Sequence, residues 1–249
     1  MSAPAWRRLR HGVVTSTNDL AFEAIEAGTA RHGDTFLAEA QTAGRGTRGR
    51  TWESAAGGLY LSVVLRSDRM PPAGAWTCAG ALAVHDLLSA AGAEVAIKWP
   101  NDVTTPEGAK VAGVLAESRG LRPEGPATFV LGVGVNVHGT GPSDALRAER
   151  AVASLADLCE APPLREVEDA LMAALERRAA EAVGDPPALY QGFFERCALA
   201  GREVTVRGAE QEVSGTWTGL DPALGLRIED GTRTRHLPVA HVRGVDARG

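Results

Sequence analysis

The sequence predicts an α+β protein in which a mixed sheet flanked by helices is followed by a small antiparallel β-barrel. Two strand-like runs, "TFLAEAQ" and "LYLSVVLR", bracket a glycine- and arginine-rich loop, "QTAGRGTRGRTW", at residues 41–52. From Leu164 to Val183 the apolar residues Val167, Leu171, Leu175 and Ala179 recur every four positions, the period of a helix. Beyond Gly201 the texture changes to the short alternating segments "REVTVRG", "EVSGTWTGLD", "GLRIED" and "TRHLPV", separated by turn residues, as in a small barrel. The expected division is therefore one domain over residues 1–200 and a second over 201–249.

Each element has its own signal. "TSTNDLAFEAIEAG" opens with a capping-box-like Ser16 to Asp19 spacing, places Leu20, Ala21, Ala24 and Ile25 on one helical face, and stops at Gly28. After the two strands, "PAGAWTCAGALAVHDLLSAAG" reads as a helix ending near Gly92. "EVAIKW" reads as a strand broken by Pro100, and "AKVAGVLAES" as its hairpin return after the turn residues "TPEG". Past a Gly/Pro loop at 120–126, "TFVLGVGVNV" has strand character, with glycines that allow close approach by a ligand or another backbone. A second helix over about 187–198 closes the first domain.

Composition excludes several classes. The chain has 249 residues, 44% hydrophobic and 23% charged, the balance of an ordinary folded protein. A formal charge of -5 argues against a general nucleic-acid binder, so the basic loop is a local device. Cys78, Cys159 and Cys197 have no short spacing, and the six histidines form no ligand pair, which argues against a disulfide framework and a His/Cys metal site. No apolar run approaches the roughly 20 residues of a membrane span, and "MSAPAWRRLRHG" has no apolar stretch after its charges. The expected location is the cytoplasm, with no membrane partner.

Candidate chemistry gathers at strand ends. The loop offers backbone N–H groups freed by glycine, and guanidiniums that pair with phosphate or carboxylate oxygens, so an anionic small ligand is the natural partner. A solvated basic loop is the plain alternative. Trp52 is placed either to stack on a purine or to act as a buried anchor. "KWPND" sets Lys98, Asn101 and Asp102 at a strand end, where Pro100 forces an extended or turn backbone; an ordinary polar turn is the competing reading. Lys110, at the mouth of an apolar strand, is suited to neutralise charge developing on a phosphoryl or carboxylate oxygen. Asn136 ends the glycine-bearing strand, as a ligand contact or a turn cap.

Taken in order, "STND", "AEAQTAGRGTRGRTW", "GGLYLSVVL", "KWPNDV", "KVAGVLAES" and "LGVGVNV" resemble the biotin protein ligases, the biotin–acetyl-CoA-carboxylase ligase family. The resemblance runs from about residue 12 to the end. It implies a class II synthetase-like catalytic domain and an SH3-like C-terminal domain. It also implies a two-step reaction, in which biotin and Mg-ATP give biotinyl-5′-AMP and pyrophosphate, and a lysine of a biotin carboxyl carrier domain then attacks the mixed anhydride.

Motif by motif, the resemblance implies Lys110 and Arg45 as catalytic residues. It places Ser16, Thr17, Asn18, Gln41, Gly44, Arg45, Lys110, Gly113 and Gly132 around biotin. Arg48, Arg50, Trp52, Asn101, Asp102 and Asn136 fall around ATP, with magnesium held mainly by phosphate oxygens; Lys98 is left between a partner for the acceptor and one for the adenylate. The chain departs from the commonest loop pattern, Gly-Arg-Gly-Arg, by carrying Thr47 where the second arginine stands, which puts retention of the adenylate in question unless Arg48 or Arg50 compensates. The loop over about 43–51 is expected to order when its anion arrives. Only about a dozen residues precede "TSTND", so no DNA-binding winged helix is expected. Two rivals stay open: a lipoate or octanoate ligase of the same fold, and a non-catalytic anion or nucleic-acid binding module.

Overall fold

The computed structural model describes residues 6–120, 126–138, 151–209 and 211–248. Residues 121–125 of the expected Gly/Pro loop lie outside the described residues. Among those described, the main sheet has seven strands in the order β1 (Arg8–Val14), β2 (Thr35–Gln41), β3 (Leu59–Ser67), β7 (Ala127–Val135), β6 (Lys110–Glu117), β5 (Asp102–Thr104) and β4 (Ala96–Lys98). β1 runs parallel to β2 and every other neighbour pair is antiparallel, so the sheet is mixed as predicted.

The pleat gives this sheet two different faces. On one, Leu59, Leu61, Val63 and Leu65 of β3 and Leu131, Val133 and Val135 of β7 join the large core. Helices α2 (Ala75–Ala90) and α4 (Leu164–Gly184) cover that face, α5 (Pro186–Glu195) packs on both of them, and α4 buries the predicted Val167, Leu171, Leu175 and Ala179. On the other face, the pairing sets Tyr60 opposite Gly134, Ser62 opposite Gly132 and Val64 opposite Val130. Helix α1 (Thr17–Glu26) covers one end of this second face through Ala21, Phe22 and a small cluster with Phe36, Val64 and Val130. The glycine end is left for the loop. A short helix, α3 (Leu155–Leu158), is capped by a true Ser154–Asp157 capping box.

β1 was not foreseen. Its two arginines, Arg8 and Arg10, both reach the buried Glu168 of α4, and Arg7 just before it binds Asp34. Helix α5 stops at Glu195, short of the expected residue 198.

The second sheet has five antiparallel strands in the order β11 (Thr234–Leu237), β10 (Gly225–Glu229), β9 (Glu212–Asp221), β8 (Glu203–Gly208) and β12 (Val242–Ala247). The two edge strands are joined by a 3-10 turn at Val239–His241. The last strand was missed because "VRGVDA" lacks a clean apolar alternation. Fully buried Trp217 of β9 packs edge-on against Trp99 at 5.9 Å and against Phe194 at 5.3 Å, so the two sheets share a continuous apolar core. The three cysteines are free thiols, and no helix of the described residues is long and apolar enough to cross a membrane.

Candidate active site

A cleft opens over the glycine face, lined among others by Thr17, Gln41, Arg45, Trp52, Lys110 and Asn136. Its floor is bare backbone from β6 and β7. A Cβ on Gly132 would lie 2.3 Å from Asn18 Oδ1, one on Gly134 would lie 2.5 Å from the Trp52 ring, and one on Gly113 would lie 3.0 Å from that ring and 3.1 Å from Lys110 Nζ. Three side chains thus rest where only glycine leaves room.

The polar end is built from the start of α1. Thr17 N and Oγ1 both donate to Gln41 Oε1, at 2.8 and 3.2 Å, and Gln41 Nε2 donates to Ser54 Oγ at 2.7 Å. Buried Ser62 bonds both Thr17 Oγ1 and Asn18 Oδ1, which locks two neighbouring polar heads over the sheet. Ser16 is the N-cap in extended backbone and lines the cleft, but its side chain makes no capping bond. The capping-box reading of Ser16 and Asp19 is therefore corrected: the Asp19 carboxylate turns to Arg45 instead, at 2.7 Å.

The loop folds back on itself over the floor. Trp52 N donates to the Gly44 carbonyl at 2.8 Å, and Arg45 bridges to Thr51. A Cβ on Gly44 would meet the Trp52 carbonyl oxygen at 2.4 Å, so Gly44 supports this fold-back from beneath rather than lining the cleft. The arginines diverge. Arg45 lines the cleft between Asp19 and Glu117, each 2.7 Å away. Arg50 also lines it, with Nη2 donating to Thr47 Oγ1 at 3.0 Å. Arg48, at φ 59 in the left-handed region, points away and donates to the Arg243 carbonyl of β12, so the structure does not bring it to the cleft with the others.

At the far end Lys110 Nζ lies 2.6 Å from Asp102 Oδ1 and 5.0 Å from the centroid of the Trp52 ring, in cation–π range. Both charged side chains are about four-fifths buried, at 20% and 23% exposure, which strengthens the pair relative to a surface one. Asp102 does not itself line the cleft and reaches it only through its pair with Lys110. Asn101 and Asn136 line it while tied to backbone: Asn101 Nδ2 donates to the Val114 carbonyl at 2.8 Å, and Asn136 Nδ2 to the Ala153 carbonyl at 3.1 Å. Lys98 is exposed and lies outside the lining. Tyr60, its phenol pushed up to about 12 by burial, donates to the Ala55 carbonyl at 2.7 Å and so anchors the strand behind the loop as a neutral group. Among the described residues no group of three or more His, Cys, Asp or Glu could hold a metal.

Sequence reading missed Asp19 and Glu117 as partners of Arg45. One signal was available for Glu117: the alternation of β6 puts it on the same face as Gly113 and Leu115.

The model of the biotin/lipoate A/B protein ligase family matches residues 11–136, just over half of the chain. The chain belongs to that family. This ligase-family chain is 32% identical to the biotin–[acetyl-CoA-carboxylase] ligase of Paracoccus denitrificans, over 92% of its own length and 98% of the relative's. It is 34% identical to the enzyme of the same name from Mycobacterium tuberculosis, over 92% and 86%. Its fold is that of the biotin protein ligase from Aquifex aeolicus in complex with biotin and ATP, with a TM-score of 0.80 at 22% identity, over 97% of this chain and 99% of that one. The family match runs from within β1 to Asn136 and so takes in the whole glycine floor and the loop.

Proposed function

We propose that this ligase activates biotin with ATP to biotinyl-5′-AMP and then transfers the biotinyl group to one lysine of a biotin carboxyl carrier domain. The observation that carries the proposal is a single cleft on which Lys110, Arg45 and Arg50 converge and which the neutral polar set of Thr17, Asn18 and Gln41 also lines. Such a cleft suits a ligand with an uncharged hydrogen-bonding head and an anionic tail.

In the first step a biotin carboxylate oxygen bonds to the α-phosphorus, the bond from that phosphorus to the bridging oxygen breaks, and pyrophosphate leaves. Two anions must meet, so fixed cations carry much of the catalysis. Lys110, held between Asp102 and the Trp52 ring, meets the charge that develops on the carboxylate and α-phosphoryl oxygens; Arg45 meets the carboxylate from the loop side. Arg50, braced by Thr47, serves the phosphates, with Trp52 and Asn136 towards the adenine and Asn101 beside them. In the second step the acceptor amine attacks the carbonyl carbon, the bond from that carbon to the bridging oxygen breaks, AMP leaves with that oxygen and the amine loses a proton.

The residues fit a magnesium ion carried on the phosphates: among the described residues the site offers Asp102 but no protein cage, the usual arrangement for this hard cation. When bound, it neutralises phosphate charge. We further take residues 201–249 as a domain of their own, joined to the loop through Arg48 and Arg243.

Arg50 is the residue placed to compensate for Thr47, since Arg48 turns outward. Thr47→Arg is expected to slow adenylate dissociation, and equal off-rates would remove any role for the position. The function itself is tested by incubating the protein with biotin, ATP and a purified carrier domain. A mass gain of one biotinyl group on a single lysine is expected; an unmodified carrier would overturn the proposal.

A further inference from the structure

Arg45 is the cation that the proposed reaction brings to the biotin carboxylate, and two carboxylates hold it. Its Nη1 lies 2.7 Å from Asp19 Oδ1 and its Nη2 2.7 Å from Glu117 Oε1. The other Glu117 oxygen accepts from Asn18 Nδ2 at 2.7 Å. Asn18 in turn rests on Gly132 at the polar end of the cleft. We infer that Glu117 is a positioning residue: it links Asn18 to Arg45, so that the loop cation is aimed from the sheet and from the polar end of the site. The role given to Arg45 rests on the ligase reading; the linkage itself does not.

The chemistry calls for a carboxylate at 117. Both of its neighbours are donors, because the Asn18 Oδ1 is already engaged by Ser62, leaving its Nδ2 to point at Glu117. A carboxylate offers two acceptor oxygens, whereas a glutamine offers one and turns an NH2 group towards the second donor. The position is firm, since Glu117 sits in β6 opposite Val130 of β7. Arg45 keeps capacity for a ligand as well: a guanidinium has five N–H donors and these two pairings use two of them. The carboxylates therefore aim the cation without consuming it.

The test is a cycle of Glu117→Gln, Arg45→Ala and the double variant in the full chain, with melting curves to show that each folds. Two quantities are read: hydrogen exchange of loop residues 43–51 without ligand, and biotin-dependent pyrophosphate exchange. Glu117→Gln is expected to speed loop exchange and to lower adenylation roughly tenfold, as a misaimed group does. In the Arg45→Ala background it should add nothing to either readout, because it acts through that arginine. Independent losses that multiply in the double variant, or a Glu117→Gln protein equal to wild type, would overturn the inference. A wild type without biotin-dependent exchange would sink the ligase reading, while loop exchange would still decide the linkage.

Discussion

One methyl group added at Gly134 would probe how the cleft divides its labour. Its Cβ would stand 2.5, 2.6 and 2.9 Å from Cε2, Nε1 and Cζ2 of Trp52. Carbon contacts settle at about 3.5–4.0 Å, so the indole must retreat by about 1 Å. Overpacking a rigid core costs about 1–3 kcal/mol, but Trp52 sits on the loop and Gly134 in the sheet, so the loop yields and the fold keeps most of its stability. Gly134→Ala is therefore expected to raise the KM for ATP roughly tenfold, equivalent to about 1.4 kcal/mol, with the KM for biotin nearly unchanged. Gly132→Ala supplies the opposite case: its Cβ would lie 2.3 Å from Asn18 Oδ1, a buried head bonded to Ser62. There the KM for biotin should rise and that for ATP should hold. The assay is pyrophosphate exchange with each substrate varied in turn, beside melting curves. The same shift for both substrates in both variants, or a Gly134→Ala enzyme like wild type, would refute the division.

Three further outcomes follow from the pairings of charged side chains. Glu168→Ala leaves Arg8 and Arg10 without their shared buried carboxylate; with Arg10 about half exposed, the loss should be about 2 kcal/mol, below that of a fully buried pair, and amide exchange should rise first in β1. Burial works against ionisation of Asp86, but hydrogen bonds from Arg178 and Arg177 outweigh it and hold its carboxyl below the ordinary value. A depressed carboxylate stabilises above its unfolded pKa of about 3.9 and loses that contribution as pH falls through the folded value, so melting curves of Asp86→Asn should show lower stability near neutrality and a flatter fall in acid. Arg48→Ala removes the tie to the Arg243 carbonyl; loop exchange without ligand should quicken while the melting temperature stays near that of wild type, and unchanged exchange would deny the tie any role.

Much of the fold was legible where local pattern and burial agree. β2, β3 and α2 announced themselves because each has a periodic apolar set with glycine or turn residues at its ends. The glycines of β7 also signalled close approach, and Asn18 and Trp52 occupy that space. What could not be read depends on distant partners. "RLRHGVV" is too charged to read as a sheet strand until Glu168, 158 or more positions away, takes up its two arginines. The three loop arginines look equivalent in sequence. Only the left-handed backbone at Arg48 and the carbonyl in β12 separate it from Arg45 and Arg50. Asp19 was assigned to a helix cap because its spacing from Ser16 fits one, yet the cation 26 positions away is the stronger partner for a carboxylate.

The most direct test of the central claim is exchange of radiolabelled pyrophosphate into ATP by wild type and Lys110→Ala, with biotin and with lipoate as the acid. Exchange that requires biotin, is absent with lipoate and is lost in the variant is the predicted result. Exchange driven by lipoate, or by neither acid, would contradict the account.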